Sequence, residues 1–229
     1  MITTTQPFDY EADAQAAWDT IYGGGIAIFT SHVGYAMCSA TKNAIDKIFK
    51  VKRRTPQKFH AMSGNMNLHN EIHIVDQRAK DVLSLITEGF DLPLGTIAPV
   101  KLGHPILKGL PDHVRDQTVK NGTLAMLMNA GVMNELMAQK GLDHGRLILG
   151  SSANISQQGT KFRVEDIEPD IREAADIIVD HGTSRWESDG RSSTMINIAT
   201  LEVIRQGTAF NVIRDAIKRH LDLDLIVTA

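Results

Sequence analysis

Short apolar runs alternate along this chain with stretches of helical periodicity, and few architectures accommodate that alternation. Ile26-Ala27-Ile28-Phe29 reads as a buried strand. Further strands are expected at Phe59-His60-Ala61-Met62, Leu124-Ala125-Met126-Leu127-Met128 and Leu147-Ile148-Leu149, with late ones at 177–179, 195–198 and 202–204. Between them lie helical patterns. Asp9 can cap a helix with Ala14, Ala17, Trp18 and Ile21 on its apolar face, ended by Gly23-Gly24-Gly25. Ile45, Ile48 and Phe49 recur at helical spacing from Thr41 to Arg54, and Pro56 stops that helix. Residues 77–88 present Ala79, Val82, Leu83 and Ile86 on one face. Met133, Leu136 and Met137 mark another helix, and 208–220 a closing one. Residues 91–111 hold four of the seven prolines and read as strand and loop. The pattern predicts an α/β chain with a twisted, mixed sheet, residues 1–229 forming one domain.

Composition narrows the function classes. A net charge of -3 with 22% charged residues argues against a general nucleic-acid coating protein and against disorder. Aromatics at 5% are too few for a wide stacking platform on single strands. The one cysteine, Cys38, excludes an internal disulfide framework and a multi-cysteine metal site, and reads as a small core residue. Met1-Ile2-Thr3-Thr4-Thr5 carries no basic stretch leading into an apolar one, and no apolar run approaches the ~20 residues of a membrane span. A cytoplasmic protein with no membrane partner is expected.

Two segments carry chemistry. Residues 42–58 hold seven basic side chains (Lys42, Lys47, Lys50, Lys52, Arg53, Arg54, Lys58) against one acid, Asp46, a local excess of +6. Lys52 extends the stripe of Ile45 and Ile48 toward the core, where an ammonium needs a partner such as phosphate. Arg54 can add a forked contact. The alternative is a solvated basic face with Lys52 snorkelling to water. The second segment, Gly150-Ser151-Ser152-Ala153-Asn154, follows a strand and offers hydroxyls and an amide suited to phosphate oxygens, or alternatively a Ser/Asn turn. Arg191 and Arg205 lie near the late strands and could close over an anion. No Walker loop or Gly-x-Gly-x-x-Gly is present. His69 and His73 stand four apart, but Asn70 occupies the position where a zincin carries glutamate, and no third ligand is indicated, so no metal site is expected.

Together the motifs resemble the YrdC-like family. Gly24-Gly25-Ile26-Ala27-Ile28-Phe29 looks like its opening strand, and Gly34-Tyr35-Ala36-Met37 resembles the form found in YciO-type members. Lys52, Arg54 and Lys58 match its Lys-x-Arg-x-x-x-Lys, and Ser152 and Asn154 its Ser-x-Asn. Ser193-Thr194-Met195-Ile196-Asn197-Ile198 and Ile204-Arg205-Gln206-Gly207 resemble its late motifs. The match spans roughly residues 14–220.

The resemblance implies a twisted open mixed sheet with helices around a basic cavity. It implies an enzyme, a nucleotidyltransferase joining threonine, bicarbonate and ATP with Mg²⁺ into threonylcarbamoyl-adenylate, for tRNA threonylcarbamoyladenosine modification. A partner transferase would accept the adenylate. HypF-type domains handle carbamoyl-adenylate instead. Carried onto this chain, Lys52 and Arg54 are the expected catalytic groups. Lys58, Ser152, Asn154, Ser193 and Arg205 join them in binding nucleotide, with Arg205 closing that pocket. Ser31 and Tyr35 shape the acceptor side, where His32 could act as a base. The chain departs from the family at Thr30-Ser31-His32-Val33, at Leu127 where the family carries arginine, at Asp91-Leu92-Pro93-Leu94-Gly95-Thr96 and at Gln157. These departures fall on the amino-acid side and the cavity wall more than on the phosphate-binding groups, and favour an alternative to threonine: carbamoyl transfer in small-molecule biosynthesis. A second alternative uses the same basic cavity for non-catalytic binding of nucleotide or double-stranded RNA.

Overall fold

A computed structural model describes residues 2–3, 8–53, 61–110 and 112–227. After β1 (Ile2–Thr3), helix α1 (Tyr10–Tyr22) starts where the Asp9 side chain accepts from the Ala12 N–H at 3.0 Å, and it buries Ala14, Ala17, Trp18 and Ile21. The hairpin β2 (Ala27–Ser31) and β3 (Gly34–Ser39) follows, then α2 (Lys42–Val51). Beyond it come β4 (Ala61–Ser63), α3 (Met66–Ile72) and α4 (Gln77–Ser84), the last running into a π turn at Leu85–Gly89. Next are β5 (Leu94–Pro99), α5 (Pro105–Lys108), α6 (Asp112–Thr118), β6 (Val119–Lys120) and β7 (Thr123–Met128). The chain continues through α7 (Val132–Asp143), β8 (Leu149–Ser152), α8 (Pro169–Glu173) and β9 (Ile177–Val179). It ends with β10 (Thr194–Asn197), β11 (Glu202–Arg205), α9 (Phe210–Leu221) and β12 (Ile226–Val227).

The strands form one open mixed sheet in the order β1-β9-β2-β3-β8-β4-β7-β5-β10-β11-β12, with β6 paired to β7. The long, periodic elements agree with the sequence pattern. Arg54, Pro56, Lys58, Phe59 and His60 lie outside the described residues. One boundary moves: the strand expected at 147–149 is instead Leu149–Ser152, because β3 pairs along it as far as Ala36 opposite Ser152. The run 91–111 contains the short helix α5 as well as β5, and α3, α6 and α8 were not anticipated. No helix of the described residues is long and apolar enough to cross a membrane.

β2 shows why its sequence is apolar without alternation. Ile28 turns toward α2 and α8 with Ala44, Ile48 and Ile171, while Ala27 and Phe29 pack with Trp18 and Ile21 of α1 and Met133 and Met137 of α7. The largest cluster lies farther along the sheet, where α3, α4 and α9 cover β5, β7 and β10 through Ile72, Val82, Leu83, Ile213 and Ile217.

The histidine pair belongs to this cluster's edge. His69 and His73 are buried at 0% and 4% exposure, and their Nδ1 atoms approach to 2.9 Å, so one ring donates to the other. Burial lowers both pKa values, to about 4 for His69 and about 3 for His73. Both rings are neutral in the folded chain and take up protons near pH 6.5 once unfolded. Their stabilisation is therefore complete above pH 6.5 and declines as the pH falls toward 4 and then 3, by up to about 1.4 kcal/mol per pH unit for each ring. Urea midpoints measured from pH 7 to pH 3.5 should fall, and a His73→Leu variant should show a shallower decline. Parallel curves for the two proteins would remove the pair from the acid limb.

Candidate functional site

A cavity of about 660 Å³ opens over the centre of the sheet, within the ~300–1,000 Å³ usual for small-molecule sites. Strand register builds its floor. Ser63, Leu127, Gly95 and Met195 stand side by side on β4, β7, β5 and β10, and Ala125, Ile97 and Asn197 form the adjoining row. Toward β3 the floor continues as Cys38, Gly150 and Ala61, then Ala36 and Ser152. Two glycines keep it flat. A Cβ on Gly150 would lie 2.4 Å from Cys38 Sγ, and the Met195 side chain lies across Gly95, 3.3 Å from where its Cβ would be. Burial pushes the Cys38 thiol up to about 12, so it stays protonated.

One wall is the Lys52–Ser152–Asn154 assembly. The buried Lys52 ammonium donates to the main-chain carbonyls of Ser152 and Asn154. The Ser152 hydroxyl donates to Asn154 Oδ1, and Asn154 Nδ2 donates to the Ile155 carbonyl at 2.6 Å. Ser152 lines the cavity; Lys52 and Asn154 are not among its described lining. The remaining described cations of α2 and its end face outward: Lys42 pairs with Asp46 at 3.0 Å, Lys47 donates to the Ala174 carbonyl at 2.9 Å, Lys50 is exposed, and the exposed Arg53 lies 3.9 Å from Asp170. The expected phosphate ligands Arg54 and Lys58 lie outside the described residues.

The opposite wall is formed by β10 and β11. Arg205 donates from Nε to the Ser193 carbonyl at 3.0 Å and from Nη2 to Ser193 Oγ at 3.2 Å. Ser193 itself is buried. Lys120 reaches the same cavity from the β6–β7 hairpin. Lys120 and Arg205 are the charged residues of the described lining, which contains no carboxylate. Arg191 is exposed and outside this lining.

At the β2–β3 turn, Ser31 and Tyr35 line the cavity and His32 does not. Ser31 Oγ donates to the Gly34 carbonyl at 2.6 Å. The Tyr35 hydroxyl meets Asp180 Oδ1 and the Gly182 carbonyl, the latter at 2.8 Å. Burial, reinforced by Asp180, raises its pKa, so the phenol remains a donor. His32 is held away by its own backbone: its N–H donates to the Ala130 carbonyl at 2.7 Å and its carbonyl accepts from Trp186 at 2.9 Å. Its ring packs against Gly131 at the start of α7. Burial first and Arg185 second lower its pKa, keeping it neutral.

The sequence reading did not single out Lys120, Ser63 or Ile97, and it took Gly95, Leu127, Met195 and Asn197 as family positions rather than as a floor. The floor was hidden because its apolar side chains look like core. Lys120 carried no local signal beyond its charge.

A family model of Sua5/YciO/YrdC proteins, described as telomere recombination, matches residues 19–207. No curated protein matches the chain. Among solved structures, the fold is similar to a hypothetical protein, smu.1377c, from Streptococcus mutans UA159, with a TM-score of 0.77 at 19% identity over 93% of this chain and 94% of that one. It is similar to P. abyssi Sua5 complexed with L-threonine, with a TM-score of 0.72 at 17% identity over 100% of this chain and 61% of that one. For E. coli YciO the values are 0.65 and 17%, over 87% and 91%. The chain thus spans about three fifths of the Sua5 chain.

Replacing Lys52 with methionine leaves the Ser152 and Asn154 carbonyls without their shared donor. We expect a loss of about 2–3 kcal/mol, seen as a melting temperature lower by about 5–10 °C. An unchanged melting temperature would show that the turn holds its shape without the ammonium.

Proposed function

The chain belongs to the Sua5/YciO/YrdC family, and we propose that it is an ATP-dependent nucleotidyltransferase that makes a carbamoyl-type adenylate from an amino acid, bicarbonate and ATP. The observation carrying this reading is a cavity whose charged described lining is wholly cationic, bounded on one side by the Ser-x-Asn turn that Lys52 braces. Such a wall selects anions, and the apolar floor of Leu127, Met195, Ala125 and Ile97 suits the flat face of a nucleobase.

The chemistry follows from charge. An amine and bicarbonate condense to a carbamate and water. A carbamate oxygen then attacks the α-phosphorus of ATP, a new P–O bond forms, the α–β bridge breaks, and pyrophosphate leaves with the bridging electrons. The barrier is the charge accumulating on phosphate oxygens, so fixed donors contribute most. Ser152 and the turn that Lys52 braces position the phosphates, and Asn154 holds the Ser152 hydroxyl in place. Arg54 and Lys58 follow α2 in sequence and are assigned to phosphate charge. No group of three or more His, Cys, Asp or Glu among the described residues forms a metal cage. Mg²⁺ would enter on the nucleotide phosphates, whose oxygens would hold it. Ser31 and Tyr35 shape the acceptor side. The Sua5 neighbour is complexed with L-threonine, which makes threonine the first acceptor to test. The adenylate, a reactive mixed anhydride, is read as the donor to tRNA through a partner transferase.

The test is pyrophosphate release from ATP and Mg²⁺, with and without bicarbonate and each common amino acid. Release requiring both bicarbonate and an amino acid is expected. Ser152→Ala should lower kcat/KM by about 10²-fold while its melting temperature stays near that of the unmodified protein. ATP binding with no release under any condition would instead identify a non-catalytic binder.

A further inference from the structure

Two buried polar side chains stand at one corner of the apolar floor, and each keeps an oxygen that the fold does not use. Asn134, the third residue of α7, is 1% exposed and lines the cavity. Its Nδ2 donates to the Gly64 carbonyl at 3.0 Å and to the Leu127 carbonyl at 2.9 Å. Carbonyls only accept, so these two bonds fix which end of the amide faces them. Both amide hydrogens are spent, and Oδ1 has no partner among the described residues.

Ser63 precedes Gly64 in the chain and pairs with Leu127 in the sheet, so both carbonyls that hold Asn134 belong to its immediate surroundings. It is 6% exposed and lines the same cavity, and its hydroxyl has no partner among the described residues. The side-chain polar atoms that are both sealed and unpartnered among the described residues belong to His32, His69, His73, Ser184 and Trp186. Asn134 Oδ1 and Ser63 Oγ are therefore unpartnered without being sealed, and the little surface their residues keep opens on the cavity.

A fixed amide oxygen accepts and cannot donate, so it disfavours carboxylate and phosphate and favours an O–H or N–H from the ligand. The serine hydroxyl can do either. A ligand hydroxyl satisfies both: its hydrogen goes to Asn134 Oδ1 and its lone pair takes the Ser63 hydrogen. A hydrocarbon group in the same place leaves buried polar atoms unmatched. This corner also adjoins the acceptor side. Ala130, just before α7, accepts from the His32 N–H at 2.7 Å, which ties the start of α7 to the β2–β3 turn, where Ser31 and Tyr35 line the cavity. We propose that Asn134 Oδ1, with the Ser63 hydroxyl, reads the side chain of the amino-acid acceptor and selects a hydroxyl-bearing one over its hydrocarbon isostere. This rests on the reading of the cavity as an adenylate-forming site and adds the specificity that reading leaves open.

The experiment uses the full chain, unmodified and as Asn134→Ala and Ser63→Ala. Pyrophosphate release is measured with threonine against valine, serine against 2-aminobutyrate, and O-methylthreonine, which keeps the oxygen and loses its hydrogen. For the unmodified protein we expect kcat/KM for threonine to exceed that for valine by about 10²-fold, with O-methylthreonine as poor as valine. Asn134→Ala should bring that ratio to within about 3-fold, leaving the KM for ATP unchanged. Asn134 also holds two carbonyls, so Ser63→Ala, which removes no described bond, provides a second comparison. Its ratio should fall about 10-fold while its melting temperature stays within about 2 °C of the unmodified protein. If Asn134→Ala lowers the use of threonine and valine alike and keeps their ratio, Asn134 is a clamp between β4 and β7 and the proposal is overturned. Equal use of threonine and valine by the unmodified protein overturns it too, with the adenylate reaction intact. A raised KM for ATP with the ratio unchanged assigns the corner to the nucleotide and also overturns it. Calorimetric binding of the same amino acids gives a readout independent of turnover. If pyrophosphate is never released but threonine binds the unmodified protein and valine and O-methylthreonine do not, the hydroxyl subsite stands and the reaction falls. If there is neither release nor binding, both fall.

Discussion

A lysine ammonium taken out of water must be met by oxygen, and here the oxygens are the main-chain carbonyls of Ser152 and Asn154. That contact joins the end of α2 to the end of β8, elements separated by 100 residues in the chain. It also fixes where the backbone turns away from the sheet after Ser152, and so where the cavity wall stands. The apolar stripe of α2 seats Lys52: Ile45 and Ile48 are buried at 1% and 0%, and the lysine continues their line at the C-terminal end of the helix. The same stripe leaves Lys47, Lys50 and Arg53 facing outward. A run of charge that looks uniform in sequence thus divides by helical phase into a buried brace and a solvated face.

The cavity extends this logic from one residue to a whole surface. Strands β4, β7, β5 and β10 are covered on one face by helices and open to the cavity on the other, and both faces are apolar through the middle. β7 alternates accordingly, with Leu124, Met126 and Met128 buried and Thr123, Ala125 and Leu127 half-buried. Ser63 interrupts the floor, and other polar lining groups include Ser31, Ser151 and Ser152 toward β3 and Ser193, Asn197 and Arg205 toward β11. An apolar floor between polar ends holds a ligand by its faces and orients it by its termini.

This arrangement explains what could be read from the sequence. α1 was legible because a capping aspartate, a four-residue apolar face and a glycine stop agree with one another. β2 and β7 were legible as strands from their apolar runs. The cavity face of β7 was not, since Ala125 and Leu127 have the same chemistry as core and only the register shows that no helix covers them. Helices α3, α5, α6 and α8, of four to seven residues, are too short for periodicity to show. The end of β8 was misplaced because Ser151 and Ser152 favour turns locally, while pairing with β3 holds them in the strand. His32 follows Ser31 directly, yet the β2–β3 turn sends the two side chains to different places, which sequence adjacency cannot reveal.

The site's charge is most informative where it is not balanced. Elsewhere the chain pairs charges at modest cost: Lys161 with Glu168 at 3.0 Å and Arg185 with Asp91 at 2.9 Å. Even Lys52, buried and bonded to carbonyls, is answered from within. Arg205 is oriented by Ser193 but not neutralised, and no carboxylate lines the described cavity wall around it. Arg205 is exposed, so water solvates the charge that Ser193 orients. A wall that orients a solvated cation, with no acid among its described lining, presents that charge to the cavity.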